Sequence, residues 1–405
     1  MSELSQGMEH KQQEGVPLSQ VPVGLFIRGL AALLLAVGLV GGLHVYLGNR
    51  LVSAPELGSP WTQLGWGALM LLFVSIPMGL AASHRKPTPL SQGVYWTSML
   101  WLGAFGLLLT ATAVADLVGA VWGLISTPPE ALVLARGKAL GVVAVVVPAM
   151  AFAFLTARGR ARVERVTVPI ARLGQGLNGL RVVQISDVHI GPTLDRHFLQ
   201  RVVEQVNALK PDVIAVTGDL VDGSVSTLRD EVAPLSGLSA PLGVYYVTGN
   251  HEYYHGGAAW AAEVARLGLT VLHNEHRVLE RAQSHLVVAG VTDHEGGRLD
   301  PAHECRPDLA LQGAPSGVPR QLLAHQPRTA FLAKGLEVDL QLSGHTHGGQ
   351  IFPFMFLVKF QQPVIRGLAT IAGVRVYTSR GTGYWGPPMR LGPAPEITEL
   401  TLVSG

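Results

Sequence analysis

Four long apolar runs in the first 160 residues constrain the fold of this chain more than any other feature. Short polar loops separate them, and they cover about residues 29–47, 64–82, 94–114 and 139–156. Each run approaches the roughly 20 residues that a helix needs to cross a bilayer. A cleaved signal peptide would explain one run, and a soluble core does not need four. The sequence therefore predicts a transmembrane region with about four helices at residues 21–160, preceded by a polar tail at residues 1–20.

The composition indicates that the first half of the chain lies in a membrane and that the second half carries the functional chemistry. Only 14% of the residues are charged, against roughly 25% in soluble domains, and the mean hydropathy is +0.32. The net charge of +2 is close to neutral, so electrostatic attraction does not favour binding of a nucleic acid polymer. A single cysteine, Cys305, excludes an intramolecular disulfide and a cysteine-rich zinc site. Twelve of the 15 histidines follow residue 180, which places the chemistry in the second half.

The positive charges that flank the apolar runs predict the orientation. With four spans, Lys11, Arg28, the basic cluster at 84–86 and the arginines at 158–165 fall on one side of the membrane. Arg50, Arg136 and Lys138 fall on the other side and are fewer. Because positive charges favour the cytoplasmic side, we expect a multi-pass protein of the cell membrane with its C-terminal domain in the cytoplasm.

One acidic residue, Asp116, lies within or beside the third apolar run. The run continues past it to Ile125, either as a slanted continuation of the helix or as an interfacial segment. A charge at that depth can mark a functional path, but the end of a helix near the interface is the favoured interpretation. The sequence contains no transporter-like array of ionisable groups in these runs.

Residues 163–405 have the pattern of a layered α/β domain. Apolar strands are predicted at 181–186, 212–217 and 243–248, and helices at 194–209, 226–238 and 258–267. This alternation is typical of α/β layering. Later strands follow one another more directly, at 285–291, 320–324, 338–342, 374–378 and 397–402. We therefore expect a second sheet, with a long loop and a short helix at 292–318.

Residues that bind metals follow five of the predicted strands. They are Asp187 and His189, then Asp219, then Asn250 beside His251, then His325, and finally His345 and His347. Ligands of open α/β sheets bind at the carboxyl ends of the strands. A mixed shell of oxygen and imidazole ligands suits two divalent ions such as Mn, Fe or Zn. It is too rich in histidine for a pure Mg or Ca site.

Each of these motifs alone has an ordinary structural explanation. Asp187 could cap a helix, Asp219 after a glycine could form a turn, and His325 could be a structural histidine. His345 and His347 alternate along a strand end, which lets both imidazoles face one point, but a lone His-x-His is weak evidence. Five coincidences at one sheet edge are much harder to explain than one metal centre.

The ordered series resembles the calcineurin-like metallophosphoesterase superfamily. Its pattern is Asp-x-His, Gly-Asp-x-x-Asp, Gly-Asn-His-Glu/Asp, His and Gly-His-x-His, and five spaced blocks agree in order over about residues 180–403. Ser-Gly-His-Thr-His-Gly-Gly-Gln at 343–350 and Gly-Thr-Gly-Tyr-Trp-Gly-Pro-Pro-Met-Arg at 381–390 look like its membrane-associated bacterial branch. The apolar half lies outside these motifs.

The resemblance implies a two-sheet α/β/β/α sandwich, two metal ions and a role for each motif residue. One ion would be held by Asp187, His189, Asp219 and His347, and the other by Asp219, Asn250, His325 and His345. Asp219 would bridge the two ions, because a carboxylate has two oxygens to share. Asp222 and Glu252 match the pattern as groups that orient ligands and loops.

The chemistry that follows is hydrolysis of a phosphoester. A hydroxide that bridges two cations would attack phosphorus, and the cations would neutralise the phosphoryl oxygens. His251 is the candidate general acid or charge stabiliser. The substrate is a phosphodiester, phosphomonoester or pyrophosphate. Anchoring near the inner leaflet favours a lipid-linked substrate. A soluble nucleotide diester is the alternative substrate.

Two rival interpretations and several weaker signals remain. A non-catalytic metal-binding scaffold or a membrane sensor could use the same fold, although every motif residue is present. Arg380 and Arg390 could recognise phosphate, and Tyr384 and Trp385 could stack on a base or contact lipid. Tyr253, Tyr254 and His255 either line the cleft or pack in a loop. The apolar residues at 352–360 either pack in the core or face the bilayer.

Overall fold

The computed structural model describes residues 23–83 and 88–405. The predicted tail at 1–20, Lys11 and the basic cluster at 84–86 lie outside the described residues. By its internal packing the chain divides into two compact units. Among the described residues, the first unit comprises residues 23–73 and Thr112–Leu140, and the second comprises those within Val74–Ala111 and Gly141–Gly405.

Four long apolar helices precede the sheets. Among the described residues, four helices are long and apolar enough to cross a membrane. They are α1 (Val23–Gly48), α2 (Trp61–Ser83), α3 (Pro89–Ile125) and α4 (Ala131–Arg158). The prediction of four apolar helices is confirmed. The third continues without a break past Asp116 to Ile125, which decides between the two interpretations of that segment.

In the first unit, the carboxylate of Asp116 has several partners. Its Oδ2 lies 2.8 Å from Arg50 Nε and accepts a hydrogen bond of 2.8 Å from the Tyr46 hydroxyl. Its Oδ1 lies 3.0 Å from Lys138 Nζ. The free energy needed to place a charged side chain near lipid is much smaller when the charge is paired in this way than when it is isolated.

The second unit contains two six-stranded sheets. The strands are β1 (Arg162–Ile170), β2 (Leu180–Ile185), β3 (Val213–Thr217), β4 (Val244–Val247), β5 (Thr270–Val271), β6 (Glu275–Arg281), β7 (Ser284–Gly290), β8 (Arg320–Leu323), β9 (Leu340–Ser343), β10 (Gly367–Ile371), β11 (Val374–Thr378) and β12 (Glu396–Ser404). The first sheet has the order β1-β12-β2-β3-β4-β5 and the second β10-β11-β9-β8-β7-β6.

The shorter helices connect these strands. They are α5 (Arg196–Ala208), α6 (Val225–Val232), α7 (Asn250–Tyr254), α8 (Gly257–Arg266), α9 (Gly296–Leu299), α10 (Pro307–Ala310) and α11 (Met355–Val358). The N-cap of α5 is Asp195, whose side chain accepts a hydrogen bond from Phe198 N. Asp187 therefore does not cap this helix, and its carboxylate is available for another use.

Alternating side chains build the layers around the sheets. In β2, Val183 and Ile185 pack with α5 and α8, whereas Leu180 and Val182 pack against the second sheet. This is the two-residue period of a strand buried on both faces. A third apolar cluster covers the outer face of the second sheet and includes Ala310 of α10. The predicted α/β/β/α sandwich is confirmed.

Four of the strands are not predicted from the sequence. β1 and β6 carry several arginines and glutamates and are largely exposed, so their apolar signal is weak. β5 has only two residues, and β10 begins at Gly367, a glycine with positive φ. These strands lie at or beside sheet edges, where polar residues are tolerated because one side faces solvent.

The core strands run parallel and bring their carboxyl ends together. β2, β3, β4 and β5 are parallel, as are β7, β8, β9 and β11 in the second sheet. The two sheets pack face to face, so that the ends of strands from both sheets meet along one edge of the sandwich. All the predicted metal-binding motifs follow these ends.

Candidate metal centre

The structure brings the motif residues together into neighbouring clusters. Asp187 and His189 follow β2, Asp219 follows β3, and Asn250 and His251 begin α7 after β4. From the second sheet, His325 follows β8, while His345 and His347 follow β9. Residues that are more than 150 positions apart in sequence thus become neighbours through the packing of the two sheets.

The first cluster contains Asp187, His189 and His347. The Nε2 atoms of the two histidines are 3.1 Å apart. Asp187 Oδ1 lies 3.6 Å from His347 Nε2. All three side chains are buried, so little surrounding water competes for these ligand atoms. One carboxylate oxygen and two imidazole nitrogens that converge in this way can hold a divalent ion.

The second cluster contains Asp219, His325 and His345. Asp219 Oδ2 lies 3.1 Å from His325 Nε2, and His325 Nε2 lies 3.2 Å from His345 Nδ1. The carbonyl oxygen of Thr217 is 2.8 Å from His325 Nδ1. This contact places the proton of a neutral ring on Nδ1 and leaves Nε2 free to ligate.

Asp219 lies between the two clusters. Its Oδ2 is 3.1 Å from His325 Nε2 in one cluster and 3.9 Å from His189 Nε2 in the other. The same oxygen is 3.9 Å from His251 Nε2. Asp187 of the first cluster also contacts the second, because its Oδ1 accepts a hydrogen bond of 2.8 Å from the backbone N–H of His345.

Two buried oxygen atoms in this region have no hydrogen-bond partner. They are Asp187 Oδ2 and Asn250 Oδ1. A buried oxygen without a hydrogen-bond partner destabilises the folded protein unless another group, such as a cation, binds it. Carboxylate and amide oxygens are suitable ligands for divalent cations. The donor set therefore fits metal ions, and it fits them at the positions that the sequence motifs indicate.

A layer of hydrogen bonds orients these side chains. Asp222 Oδ1 lies 3.0 Å from His189 Nδ1 and 2.6 Å from His251 Nδ1. The Glu252 carboxylate accepts hydrogen bonds from the backbone N–H groups of Asp219, Leu220 and Gly249. Glu252 thus connects the turn after β3 to the turn after β4 by hydrogen bonds. Asp222 orients the imidazole rings of both His189 and His251.

The backbone of the site is unusual. Five motif residues have left-handed φ angles, namely Asp187 (54°), His189 (52°), Asp219 (52°), His345 (70°) and His347 (52°). Residues other than glycine seldom adopt this conformation, and strain of this kind clusters at functional sites. The neighbouring Gly344 also has no room for a side chain, because a Cβ there would collide with Ser186 Oγ and Asp187 Oδ2.

Burial and nearby charges shift the pKa values of these histidines in both directions. Burial alone would lower the pKa of His325, but the carboxylates of Asp219, Asp187 and Asp293 raise it. Burial and the nearby His325 charge lower the pKa of His345 to about 3. Burial also lowers the pKa of His347, helped by His189 and Arg390. Neutral imidazoles are the forms that bind metals. Burial alone would lower the pKa of His251, but the carboxylates of Asp219 and Asp222 outweigh it and raise the pKa to about 9.

His251 is buried, but its ring contacts two exposed aromatic side chains. Its ring is 5.3 Å from that of Tyr254 and 5.6 Å from that of Trp385. Both aromatic side chains are more than half exposed. Tyr253, in contrast, lies within hydrogen-bond distance of Thr248 Oγ1 and His303 Nδ1. Tyr254 and Trp385 therefore lie at the surface beside His251, whereas Tyr253 packs in the loop.

The two arginines of the last loop make contacts within the protein. Arg390 is fully buried, and its guanidinium donates to the carbonyl oxygens of His347 and Arg380. Arg380 pairs with Glu396 and Glu164. These contacts hold the turn around His347 and leave phosphate recognition to other groups. Tyr384 is buried as well, and its hydroxyl donates to Thr193 O.

Sequence reasoning missed Asp293. It follows β7, it is fully buried, and burial raises its pKa to about 6. Both carboxylate oxygens accept hydrogen bonds of 3.2 Å from Gln326 Nε2, the residue after His325. A polar triplet after an apolar strand, here Thr-Asp-His at 292–294, is the same signal that identified the other motifs.

Comparisons with known proteins agree with this geometry. A family model described as calcineurin-like phosphoesterase matches residues 180–349. A transmembrane protein with metallophosphoesterase domain from Danio rerio is 36% identical over 383 residues, which cover 90% of this chain and 86% of the relative. The chain belongs to the calcineurin-like metallophosphoesterase family. It is a metal-dependent phosphoester hydrolase of a family that uses two divalent metal ions, and it is a membrane protein.

Two further proteins are similar to parts of this chain. An uncharacterised metallophosphoesterase from Campylobacter jejuni is 38% identical over 249 residues, which cover 59% of this chain and 63% of the relative. A 5′-nucleotidase precursor from Thermus thermophilus superposes with a TM-score of 0.36 at 16% identity, covering 56% of this chain and 54% of the other. Vertebrate and bacterial relatives both match, so the metallophosphoesterase is not assigned to a bacterial branch.

Proposed function

We propose that this metallophosphoesterase is a membrane-anchored hydrolase that holds two divalent ions with seven of its residues. One ion binds Asp187, His189, Asp219 and His347, and the other binds Asp219, Asn250, His325 and His345. The position of Asp219 Oδ2, 3.1 Å from His325 Nε2 and 3.9 Å from His189 Nε2, is the observation that carries this proposal. Mn, Fe and Zn suit the mixed ligand set.

The ions and the protein have separate tasks in the reaction. When bound, the two cations supply an activated water as nucleophile at neutral pH and neutralise the phosphoryl oxygens. The protein's own residues position the phosphoester and handle protons. Asp222 holds the rings of His189 and His251, so each presents its Nε2 towards Asp219. The strained turns keep these groups fixed before substrate arrives.

His251 is the proton donor in this proposal. Without bound cations, the carboxylates of Asp219 and Asp222 raise its pKa to about 9, which favours the imidazolium form. Its ring contacts the exposed side chains of Tyr254 and Trp385, and we place the leaving group on this side of the site. From Nε2 it donates a proton to the leaving alkoxide oxygen as the phosphorus–oxygen bond breaks. His251 is then neutral and regains a proton from water.

The membrane region positions this chemistry. We assign residues 21–160 to the membrane and residues 163–405 to the catalytic domain, which faces the cytoplasm. The support is the larger number of positive charges on that side, including those at 158–165. An anchored active site favours a substrate in the same membrane, so we propose a lipid-linked phosphoester over a soluble nucleotide.

The alternative function is a metal-binding scaffold or sensor without turnover. Every motif residue and His251 are present with the geometry described above, whereas a scaffold has no need of a positioned proton donor. The scaffold would still bind metal, so binding alone does not separate the two functions.

Hydrolysis of a soluble phosphodiester separates them. Full-length protein in detergent is stripped with a chelator, reloaded with Mn and supplied with bis-p-nitrophenyl phosphate. The enzyme proposal expects hydrolysis that depends on Mn and is lost in His325→Ala. A protein that binds Mn but releases no p-nitrophenol from this diester or from p-nitrophenyl phosphate, and no phosphate from a pyrophosphate, would support the scaffold.

A further inference from the structure

We propose that an aromatic surface beside the catalytic cleft lies within the bilayer, so that phosphoester lipids enter the cleft directly from the leaflet. This surface comprises Phe352, Phe354, Phe356, Leu357, Phe360 and Trp385. The inference rests on the proposed hydrolase function, and it adds a surface of the catalytic domain that lies within the bilayer and the route by which the lipid substrate arrives.

The aromatic surface is exposed in spite of its composition. The exposed fraction is 89% for Phe360, 63% for Leu357 and 53% for Phe356. The core-packing interpretation therefore does not hold for these three side chains. Contiguous apolar patches of this kind on a protein surface mark contacts with a partner or a membrane. The one charged residue among them, Lys359, has a long stem that can carry its ammonium group to the interface.

The ends of the membrane helices define the level of the interface. α4 ends at Arg158, whose guanidinium lies 5.4 Å from the ring of Trp96 in α3. Arginine and tryptophan are both typical of the membrane–water boundary. Ala153 lies five residues deeper in α4, and Gly103 and Gly106 lie seven and ten residues deeper in α3. At 1.5 Å per residue these positions are roughly 7, 10 and 15 Å below the interface.

The catalytic domain contacts the helices at those depths. Arg390 N donates a hydrogen bond of 2.9 Å to the carbonyl oxygen of Ala153. A Cβ on Gly103 would approach Met389 Sδ to 2.7 Å, and one on Gly106 would approach the ring of Phe354 to 2.8 Å. The domain therefore reaches past the level of Arg158 and Trp96. The exposed aromatic surface continues from Phe354, so hydrocarbon is the medium that it meets.

The same surface adjoins the metal cleft. Trp385 exchanges hydrogen bonds with the Gln350 side chain, from Trp385 N to Oε1 and from Nε2 to Trp385 O. Gln350 is two residues from Phe352, and the Trp385 ring is 5.6 Å from the ring of His251. A lipid whose acyl chains lie against the aromatic surface can thus place its phosphoester beside His251.

The membrane helices also supply a polar cavity at the level of the head groups. Its volume is ≈ 330 Å³. Tyr95, Trp96 and Arg158 line it from the helices, and Asp222 and Gly223 line it from the turn after β3. The cavity thus borders the carboxylate that holds His189 and His251. A polar space between the interface and the catalytic histidines suits the head group of a lipid substrate.

A depth measurement tests the membrane position of the aromatic surface. A nitroxide label is attached to Phe360→Cys in full-length protein in nanodiscs, with Leu299→Cys as control. Cys305 is buried, which favours labelling at the introduced thiol, and Leu299 is an exposed apolar residue of α9. We expect oxygen to relax the label at 360 more than a nickel chelate does, and the reverse at 299. Equal access of nickel to both labels would overturn the proposal.

A kinetic comparison tests the route of the substrate. kcat/KM is measured for vesicles of a phosphodiester lipid with a chromogenic head group and for soluble bis-p-nitrophenyl phosphate. In Leu357→Ser/Phe360→Ser we expect the ratio of the two values to fall at least about tenfold, since two apolar anchors are lost from the lipid. The matched control, Val278→Ser/Leu299→Ser, replaces exposed apolar residues of β6 and α9 and should keep the ratio.

The two proposals fail in different ways. A wild-type protein that does not hydrolyse the soluble diester with Mn refutes the hydrolase function itself. A protein that hydrolyses the soluble diester but has the same lipid-to-soluble ratio in the wild type and in Leu357→Ser/Phe360→Ser refutes only the entry of lipids from the leaflet.

Discussion

At the scale of single residues, the metal site combines predictable side chains with unpredictable backbone. The identities of the seven proposed ligands follow from the order of the motifs. The left-handed conformations of Asp187, His189, Asp219, His345 and His347 do not, because no local sequence rule places three histidines and two aspartates at positive φ. Strand ends from two sheets impose these conformations, and the rest of the fold stabilises them.

Replacements at His345 test this strain. In metal-free protein, His345→Gly should be more stable than His345→Ala by roughly 1 kcal/mol, because alanine at a φ of 70° meets the steric penalty that glycine avoids. The free energy of unfolding is measured by denaturant titration in detergent. At the control position His197, in α5, the order should reverse because glycine weakens a helix. Equal stabilities of the two variants at 345 would contradict strain there.

The pH dependence of the rate tests the role of His251. A proton donor must be protonated, and its pKa of about 9 in the metal-free site keeps it so at neutral pH. Bound cations lower that pKa, so kcat for a substrate with a poor leaving group should fall as pH rises towards 9. In His251→Gln this alkaline fall should disappear along with most of the rate. A p-nitrophenyl ester needs less protonation and should respond weakly.

At the scale of elements, α3 belongs to both the membrane region and the catalytic unit. Its residues Ser98 and Met99 are buried, as are Trp101 and the stretch at 103–105. Hydropathy predicts that this helix exists, but it assigns all of the apolar surface to lipid. Small residues such as Gly103, where another backbone or side chain can approach closely, are the signal that would have identified the packed face.

A pair of glycine variants in α3 tests this packing. Gly103→Leu should lower the melting temperature and the hydrolysis rate, because its side chain would meet Met389 and Pro387. Gly93→Leu lies in the same helix, has no atom within 4 Å of its Cβ position, and should leave both nearly unchanged. Thermal unfolding of the purified protein and Mn-dependent hydrolysis give the two readouts. Equal effects at 93 and 103 would mean that the loop containing Pro387 and Met389 does not depend on its packing against Gly103.

The strands show where sequence prediction succeeds. The core strands β2, β3 and β4 are continuous apolar runs bounded by turn residues, and each is predicted within a residue or two. β1 escapes prediction because Arg162 and Arg165 resemble a membrane flank, although Val163, Val166 and Val168 retain part of the strand signal. Its stability comes from pairing with β12, more than 230 residues away, and no local pattern contains that contact.

At the scale of the whole molecule, orientation is the property that sequence alone predicts. Cysteines at Pro128 and Leu299 test it with a membrane-impermeant maleimide. We expect labelling at 128 in intact cells and labelling at 299 only after lysis, since the excess of positive charge places the catalytic domain in the cytoplasm. The reverse pattern would place the catalytic domain outside the cell and direct the search towards lipids of the outer leaflet.

The proposed membership of Asp219 in both metal sites is the central claim, and metal content tests it most directly. Metal per chain is measured by mass spectrometry together with kcat, for the wild type, Asp219→Asn and the exposed control Asp230→Asn. We predict two metal ions in the wild type and control, and at most one in Asp219→Asn. Its kcat should fall by more than about a hundredfold, since even partners outside the ligand shell are worth roughly 10- to 100-fold. An Asp219→Asn protein that retains two metal ions and near-normal kcat would contradict the account.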